Sequence, residues 1–239
     1  VDPAVTRRFD AVIFDLFGTL VYEFPRADWD EWLEASAAVL EVDADAYKDA
    51  WSATAIERQT GRVGDMPEHV RTLAARAGGW PDESQVAEVL EMRAGLYRTW
   101  FEPRPGALEI VREMRDRSMP TGLISMCAPD TPALWRASPF AGLIDVEVFS
   151  CEVGLRKPEP EIYLEACELL GVEPSRCFYV GDGAYGELSG ATAVGMTAVL
   201  IRDPTEEGGE ALRPEAEDWH GPRVDDLREI AALVFGSGA

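Results

Sequence analysis

Four places along this chain set reactive side chains just beyond short apolar runs. In "AVIFDLFGTLV" the run ends at Asp15, with Phe17, Gly18 and Thr19 following. A second run ends at Ser125, with Met126 next; Lys157 stands in "GLRKPEPEIY"; and "VGDGAYGELSGA" carries Asp182 and Glu187. Carboxylates outnumber every alternative here. The two histidines, His69 and His220, are too few for a multi-histidine metal site. Cys127, Cys151, Cys167 and Cys177 form neither a CxxC pair nor a zinc-ligand spacing. Lys48 and Lys157 are the lysines of a chain whose other basic residues are arginine, so each is a place where a compact ammonium is used instead of a planar fork.

Each of these residues also has an ordinary reading. Asp15 and Ser125 suit turns, Lys157 a solvated surface, and Glu187 the first turn of a helix, where the dipole favours an acid. Cys127 lacks a histidine partner and reads as a small buried residue rather than a nucleophile.

The elements that must position these residues follow from hydropathy patterning. Apolar, β-rich runs at 9–14, 120–125, 146–150, 177–180 and 197–201 read as buried parallel strands. Helical stretches at 107–118, 161–170 and 187–194 lie between them, and 224–235 reads as a closing helix. Strand alternating with helix predicts an α/β fold, a Rossmann-like doubly wound parallel sheet that binds ligands beyond the strands' carboxyl ends. From about 22 to 102 the alternation stops and apolar residues keep helical spacing, as in Trp29, Trp32, Leu33 and Ala37. This predicts an α-helical domain over 22–102, inserted into a core formed by 1–21 and 103–239, with proline-bearing hinges. Its aromatic residues read as core, and "ERQTGRVGDMP" as a polar loop carrying Arg58 and Arg62. The loop at 203–218 reads as exposed.

Composition limits the function. A net charge of -22 and a pI near 4.4 argue against nucleic-acid and anionic-membrane partners, which need a basic footprint. A phosphorylated small molecule remains compatible, since local cations or one metal can reverse the field at a site. No apolar run approaches the ~20 residues of a spanning helix, and the start lacks a signal-peptide core. A reduced, cytoplasmic setting is expected; oligomeric state is left open.

The Asp-led loop, the serine, the lysine and the acidic "GD" loop, in that order and with an insertion between the first two, resemble the four motifs of the haloacid dehalogenase superfamily. The resemblance covers essentially the whole chain. It implies that Asp15 is a nucleophile attacking phosphorus, and that Asp15, the Phe17 carbonyl and Asp182, with Glu187 directly or through water, hold Mg²⁺. Lys157 would neutralise the carboxylates and grip the phosphoryl group, while Ser125, Thr19 and the N–H groups around Gly18 would bind its oxygens. The inserted helices would be a cap selecting the substrate, with Arg58 or Arg62 clamping an anion, although a solvated arginine is the ordinary reading.

Phe17 departs from this pattern, because phosphatases of the superfamily usually place there an aspartate that protonates the leaving oxygen. The expectation is a Mg²⁺-dependent phosphatase of a small phosphorylated metabolite whose leaving group needs little help. The family's 2-haloacid dehalogenases carry an aromatic at this place and expel halide without a proton, but they replace the acid that persists here as Asp182. Phe17 and Met126, two polar positions turned apolar, would also suit a non-catalytic binding protein.

Overall fold

Side chains that alternate between two faces of each strand build this fold. In β1 (Ala11–Phe14) every residue is buried, yet Val12 and Phe14 join one apolar cluster while Ala11 and Ile13 join another. A strand covered on both faces is the signature of a parallel sheet between helical layers. The computed structural model describes residues 7–23, 25–202 and 213–236.

After β1 come five helices with no intervening strand: α1 (Arg26–Val39), α2 (Ala44–Ala53), α3 (Ala55–Gln59), α4 (Met66–Arg76) and α5 (Glu83–Trp100). Asp43, Asp65 and Asp82 start three of them by accepting backbone N–H bonds, Asp82 in a full capping box with Gln85. Their inner faces form a third apolar cluster that includes Trp32, Trp51, Leu73 and Val89. The alternation resumes with α6 (Ala107–Asp116), β2 (Thr121–Ser125), α7 (Thr131–Arg136), β3 (Val146–Phe149), α8 (Ser150–Val153), α9 (Pro160–Leu170), β4 (Cys177–Gly181), α10 (Glu187–Ala193) and β5 (Thr197–Ile201). The chain closes with β6 (Arg223–Val224) and α11 (Ile230–Phe235).

The six strands are all parallel, in the order β3-β2-β1-β4-β5-β6. Helices α6 and α11 cover one face, α9 and α10 the other. The expected α/β doubly wound core is therefore present. Strand order reverses between β1 and β4, and such switch points open a crevice beyond the strand ends. Asp15, Ser125 and Asp182 stand at the ends of β1, β2 and β4, the three adjacent central strands.

Two sequence expectations change. The stretch 224–235 is not one helix. Val224 pairs with Ile201 as a sixth strand, Asp226 then caps a single 3-10 turn, and α11 is confined to Ile230–Phe235. The loop expected to be exposed over 203–218 lies partly outside the described residues, but from Arg213 onward it is tied down. Glu215 accepts from the N–H groups of Leu188 and Ser189 at 2.8 and 2.9 Å, and Ala216 is buried.

Candidate active site

Asp15 follows the last residue of β1, where its N–H donates to the Val180 carbonyl at 2.9 Å and fixes the backbone against β4. Its side chain is buried beside Lys157, whose Nζ donates to Asp15 Oδ1 at 2.5 Å and to Glu187 Oε2 at 2.6 Å. The lysine is itself held from behind, its N–H donating to the Met126 thioether at 3.3 Å. Met126 thus holds the Lys157 backbone as well as lining the cavity described below.

Glu187 stands in the first turn of α10, where the dipole favours an acid, and is fully buried. It accepts from Lys157, from the Tyr179 hydroxyl at 2.7 Å and from the Gly183 N–H at 3.0 Å. Asp182 follows β4, accepts from the Ala184 N–H at 3.0 Å, and pairs with Arg213 Nε at 2.5 Å. Arg213 also reaches Glu23 at 2.7 Å. Asp15, Asp182 and Glu187 each offer an oxygen within 4.8 Å of the others.

Two carboxylates sharing one ammonium leave positive charge short. Burial, then the neighbouring Asp15, push the Glu187 carboxyl up to about 8 against the pull of Lys157. Burial likewise raises the Asp15 carboxyl, with Lys157 opposing. Burial disfavours the Lys157 charge, but Asp15 and Glu187 outweigh it and bind that proton more tightly than usual. Three hard oxygen donors within reach of each other and short of positive charge fit a divalent cation.

Thr19 Oγ1 and Ser125 Oγ are both buried and have no hydrogen-bond partner among the described residues. Gly18 has φ +77, and a Cβ there would collide with the Asp182 carboxylate, so this turn demands glycine. Its N–H does not face a ligand, however. It donates to the Val21 carbonyl at 2.8 Å, and the Thr19 N–H turns back to Leu16. These two N–H groups are bonded within the loop, and the Thr19 and Ser125 hydroxyls are polar groups left open.

Phe17 sends its ring toward the helical insertion, 5.9 Å from Phe101 and 6.5 Å from Tyr97 between centroids. A cavity of about 230 Å³ extends from Asp15 and Phe17 to Trp51, Arg58 and Arg93. Arg58 lies on α3 rather than in a polar loop, and the solvated reading fails for it. It is 7% exposed, stacked 3.6 Å over the Trp51 ring, with Nη1 donating to the Trp51 carbonyl at 2.9 Å. Arg62 is exposed, donates to Thr60 Oγ1, and does not line this cavity. Trp51 and Tyr97, expected as core, are core residues that also wall the cavity.

Several residues of the site escaped sequence reasoning. Arg93 is paired through two nitrogens to Asp130, and Tyr185 lines the cavity from a positive-φ turn while its hydroxyl accepts from Gln59 on α3. No local sequence signal marks Tyr185 as a wall of the cavity. Cys127 also lines the cavity, but burial pushes its thiol well above the usual range, as befits a small buried residue. All four cysteines are free thiols. Among the described residues no helix is long and apolar enough to cross a membrane.

A family model described as haloacid dehalogenase-like hydrolase matches residues 9–195. The glyceraldehyde 3-phosphate phosphatase of Methanopyrus kandleri is 27% identical over 94% of this chain and 96% of its own. The phosphoserine phosphatase of Thermus thermophilus is 29% identical, over 88% and 80% respectively. A 2-haloacid dehalogenase structure from Pseudomonas syringae superposes with a TM-score of 0.69 at 18% identity, covering 94% of this chain and 97% of that one, and so attests the fold alone.

Proposed function

We propose that this chain, which belongs to the haloacid dehalogenase-like hydrolase family, is a phosphatase of a small phosphorylated metabolite with Asp15 as its nucleophile. The observation that carries the reading is the pair of buried hydroxyls without a hydrogen-bond partner among the described residues, Thr19 in the loop that Asp15 opens after β1 and Ser125 at the end of the adjacent β2. Buried hydroxyls without partners are rare in folded proteins, and phosphoryl oxygens supply what they lack.

The Asp15 carboxylate oxygen forms a bond to phosphorus as the bond to the leaving oxygen breaks, giving an aspartyl phosphate and the alcohol or its anion. Water then attacks phosphorus, releasing phosphate and restoring Asp15. Thr19 and Ser125 donate to the equatorial oxygens as their charge shifts, and Lys157 aims Asp15 while offsetting its charge. A Mg²⁺ held by Asp15, the Phe17 carbonyl and Asp182, with Glu187 beside them, would screen the two anions from each other. Phe17 supplies no proton, so the leaving oxygen departs unprotonated or takes a proton from water. The helices over 22–102 act as a cap, joined to the core through Gln59–Tyr185 and Arg93–Asp130. Free thiols support a reducing, cytoplasmic setting.

The aromatic contacts of Phe17 favour a second reading, hydrolysis of a 2-haloacid at carbon, in which a missing acid is harmless. Retention of Asp182 in the acid cluster weighs against it. Mg²⁺-dependent phosphate release from p-nitrophenyl phosphate, abolished by Asp15→Asn, is the expected result. Metal-independent chloride release from 2-chloropropionate would establish the second reading instead. Turnover of neither class, with or without Mg²⁺, would leave a binding role.

A further inference from the structure

Two of the four free thiols stand against each other at the wall of the cavity. Cys127 Sγ and Cys151 Sγ are 3.6 Å apart, and the sheet builds that contact. Parallel pairing of β2 with β3 sets Ser125 opposite Phe149, so two residues further along each chain Cys127 and Cys151 fall side by side. The Cys127 N–H donates to Ser150 Oγ at 3.0 Å and holds the two segments together. Neighbouring strands lie about 4.7–4.9 Å apart, within the ~4.4–6.8 Å that a disulfide spans between its Cα atoms.

The two thiols are unequal. Cys127 is 4% exposed, whereas Cys151 on α8 is only half-buried. A hydrogen bond from the Cys127 thiol draws the Cys151 thiol below its usual range, against burial and the nearby Glu152 and Asp130. Burial, then the same contact, keeps the proton on Cys127. An accessible sulfur favoured as thiolate, backed by a protonated thiol, suits an attacking and a resolving cysteine. Cys167 on α9 and Cys177 on β4 supply the contrast. Their sulfurs are 3.5 Å apart, but both residues are buried in the apolar cluster of that face, away from any oxidant in solution.

We propose that Cys151 and Cys127 form a peroxide-reactive dithiol whose closure to a disulfide controls the cavity. The Cys151 thiolate attacks an oxygen of hydrogen peroxide, the O–O bond breaks, and the departing hydroxide takes a proton to become water. Cys151 is then a sulfenic acid. The Cys127 sulfur attacks the Cys151 sulfur, the S–O bond breaks, and the hydroxyl leaves with the Cys127 proton as a second water. The thiols give up two electrons and the peroxide accepts them. Proximity favours this second step over attack by another peroxide, and exchange with a small dithiol reverses the change. Transient disulfides of this kind are the ones found in reducing compartments.

Closure reaches the site from two sides. Cys127 lies between Met126 and Ala128, which also line the cavity, and Met126 holds the Lys157 backbone. The Cys151 carbonyl abuts Gly61, just beyond α3, so tightly that a Cβ there would collide with it. Forming the bond draws the sulfurs from 3.6 Å to about 2.05 Å, and a displacement of about 1 Å can cost ~10²-fold in rate. The dithiol does not depend on whether phosphorus or carbon is attacked.

The test adds hydrogen peroxide to the reduced full chain, quenches with an alkylating agent and maps peptides without reductant. A Cys127–Cys151 linked pair should form at least ~10-fold faster than any modification of Cys167 or Cys177. Cys127→Ser should leave a sulfenic acid on Cys151 that dimedone traps, and Cys151→Ser should give no linked pair. Wild-type hydrolysis of p-nitrophenyl phosphate or 2-chloropropionate, whichever is turned over, should fall ~10- to 100-fold on oxidation. It should return with dithiothreitol, and Cys151→Ser should keep its activity in peroxide. Modification of Cys151 no faster than of Cys167, or a wild-type sulfenic acid that never links to Cys127, overturns the dithiol. A linked pair with unchanged hydrolysis overturns its control of the cavity. The peptide map decides the dithiol even if neither compound is hydrolysed, so its failure and that of the phosphatase reading are distinct.

Discussion

Replacing Lys157 by methionine tests the electrostatics of the site without any assumption about substrate. The side chain is 1% exposed and its ammonium bridges Asp15 and Glu187 at 2.5 and 2.6 Å. Methionine fills similar space but leaves two buried acids facing each other with no cation between them. Glu187, pushed up to about 8, already holds its proton at pH 7, so Asp15 must now hold one as well. Keeping a carboxyl with an ordinary pKa of about 3.9 protonated at pH 7 costs about 4.2 kcal/mol, and at pH 5 about 1.5 kcal/mol. Lys157→Met should therefore lose about 3–5 kcal/mol at pH 7, in line with other broken buried pairs, or roughly 6–20 °C in Tm for a chain of this size. The sign follows from linkage: raised folded-state carboxyl pKa values mean that stability falls as pH climbs above the unfolded pKa. Urea unfolding with EDTA present, followed by tryptophan fluorescence at pH 5, 6 and 7, measures the difference from wild type. That difference should shrink by more than ~2 kcal/mol between pH 7 and pH 5. A deficit that stays constant with pH would refute the picture of two acids held by one ammonium.

Other substitutions separate stability from activity. Ser125→Ala removes a buried hydroxyl with no partner, so stability should stay within ~0.5 kcal/mol of wild type or rise. Its kcat on phosphate esters should fall ~10²- to 10³-fold, and a destabilisation beyond ~1 kcal/mol would mean that the hydroxyl is bonded within the protein. Phe17→Asp should raise turnover of alkyl phosphates relative to aryl phosphates by up to ~10²- to 10⁴-fold, at some cost in Tm from lost contacts with Phe101 and Tyr97; an unchanged ratio would sink the account of the missing acid. Mg²⁺ affinity should increase as pH rises toward about 8, where Glu187 ionises, because metal binding displaces its proton. Calorimetry at pH 6, 7 and 8.5 would contradict this if the affinity were flat.

The Asp15 loop and the residues that gather around it were legible because their signals are local. Apolar runs mark buried strands, ligands gather at strand ends, and Asp15, Ser125 and Asp182 each stand directly at such an end. Lys157 was conspicuous as a lysine among arginines. Local patterning also located the run of helices between β1 and α6 and their apolar faces. It could not distinguish Arg58 from Arg62, four residues apart in one segment: helix α3 buries the first against Trp51 and leaves the second exposed. Nor could it find β6, whose two residues become a strand only by pairing with Ile201 and its neighbour.

The sequence by itself determined five of the sheet's six described strands, the order of the reactive residues and the acid absent at position 17. Tertiary structure alone decided which cations face which anions: Lys157 between Asp15 and Glu187, Arg213 on Asp182, Arg93 on Asp130, and Arg58 stacked on Trp51 with no carboxylate paired to it among the described residues. The reason is physical. Secondary structure follows from the periodicity of neighbouring residues, whereas the charge state and partner of a buried group depend on side chains brought together from distant parts of the chain.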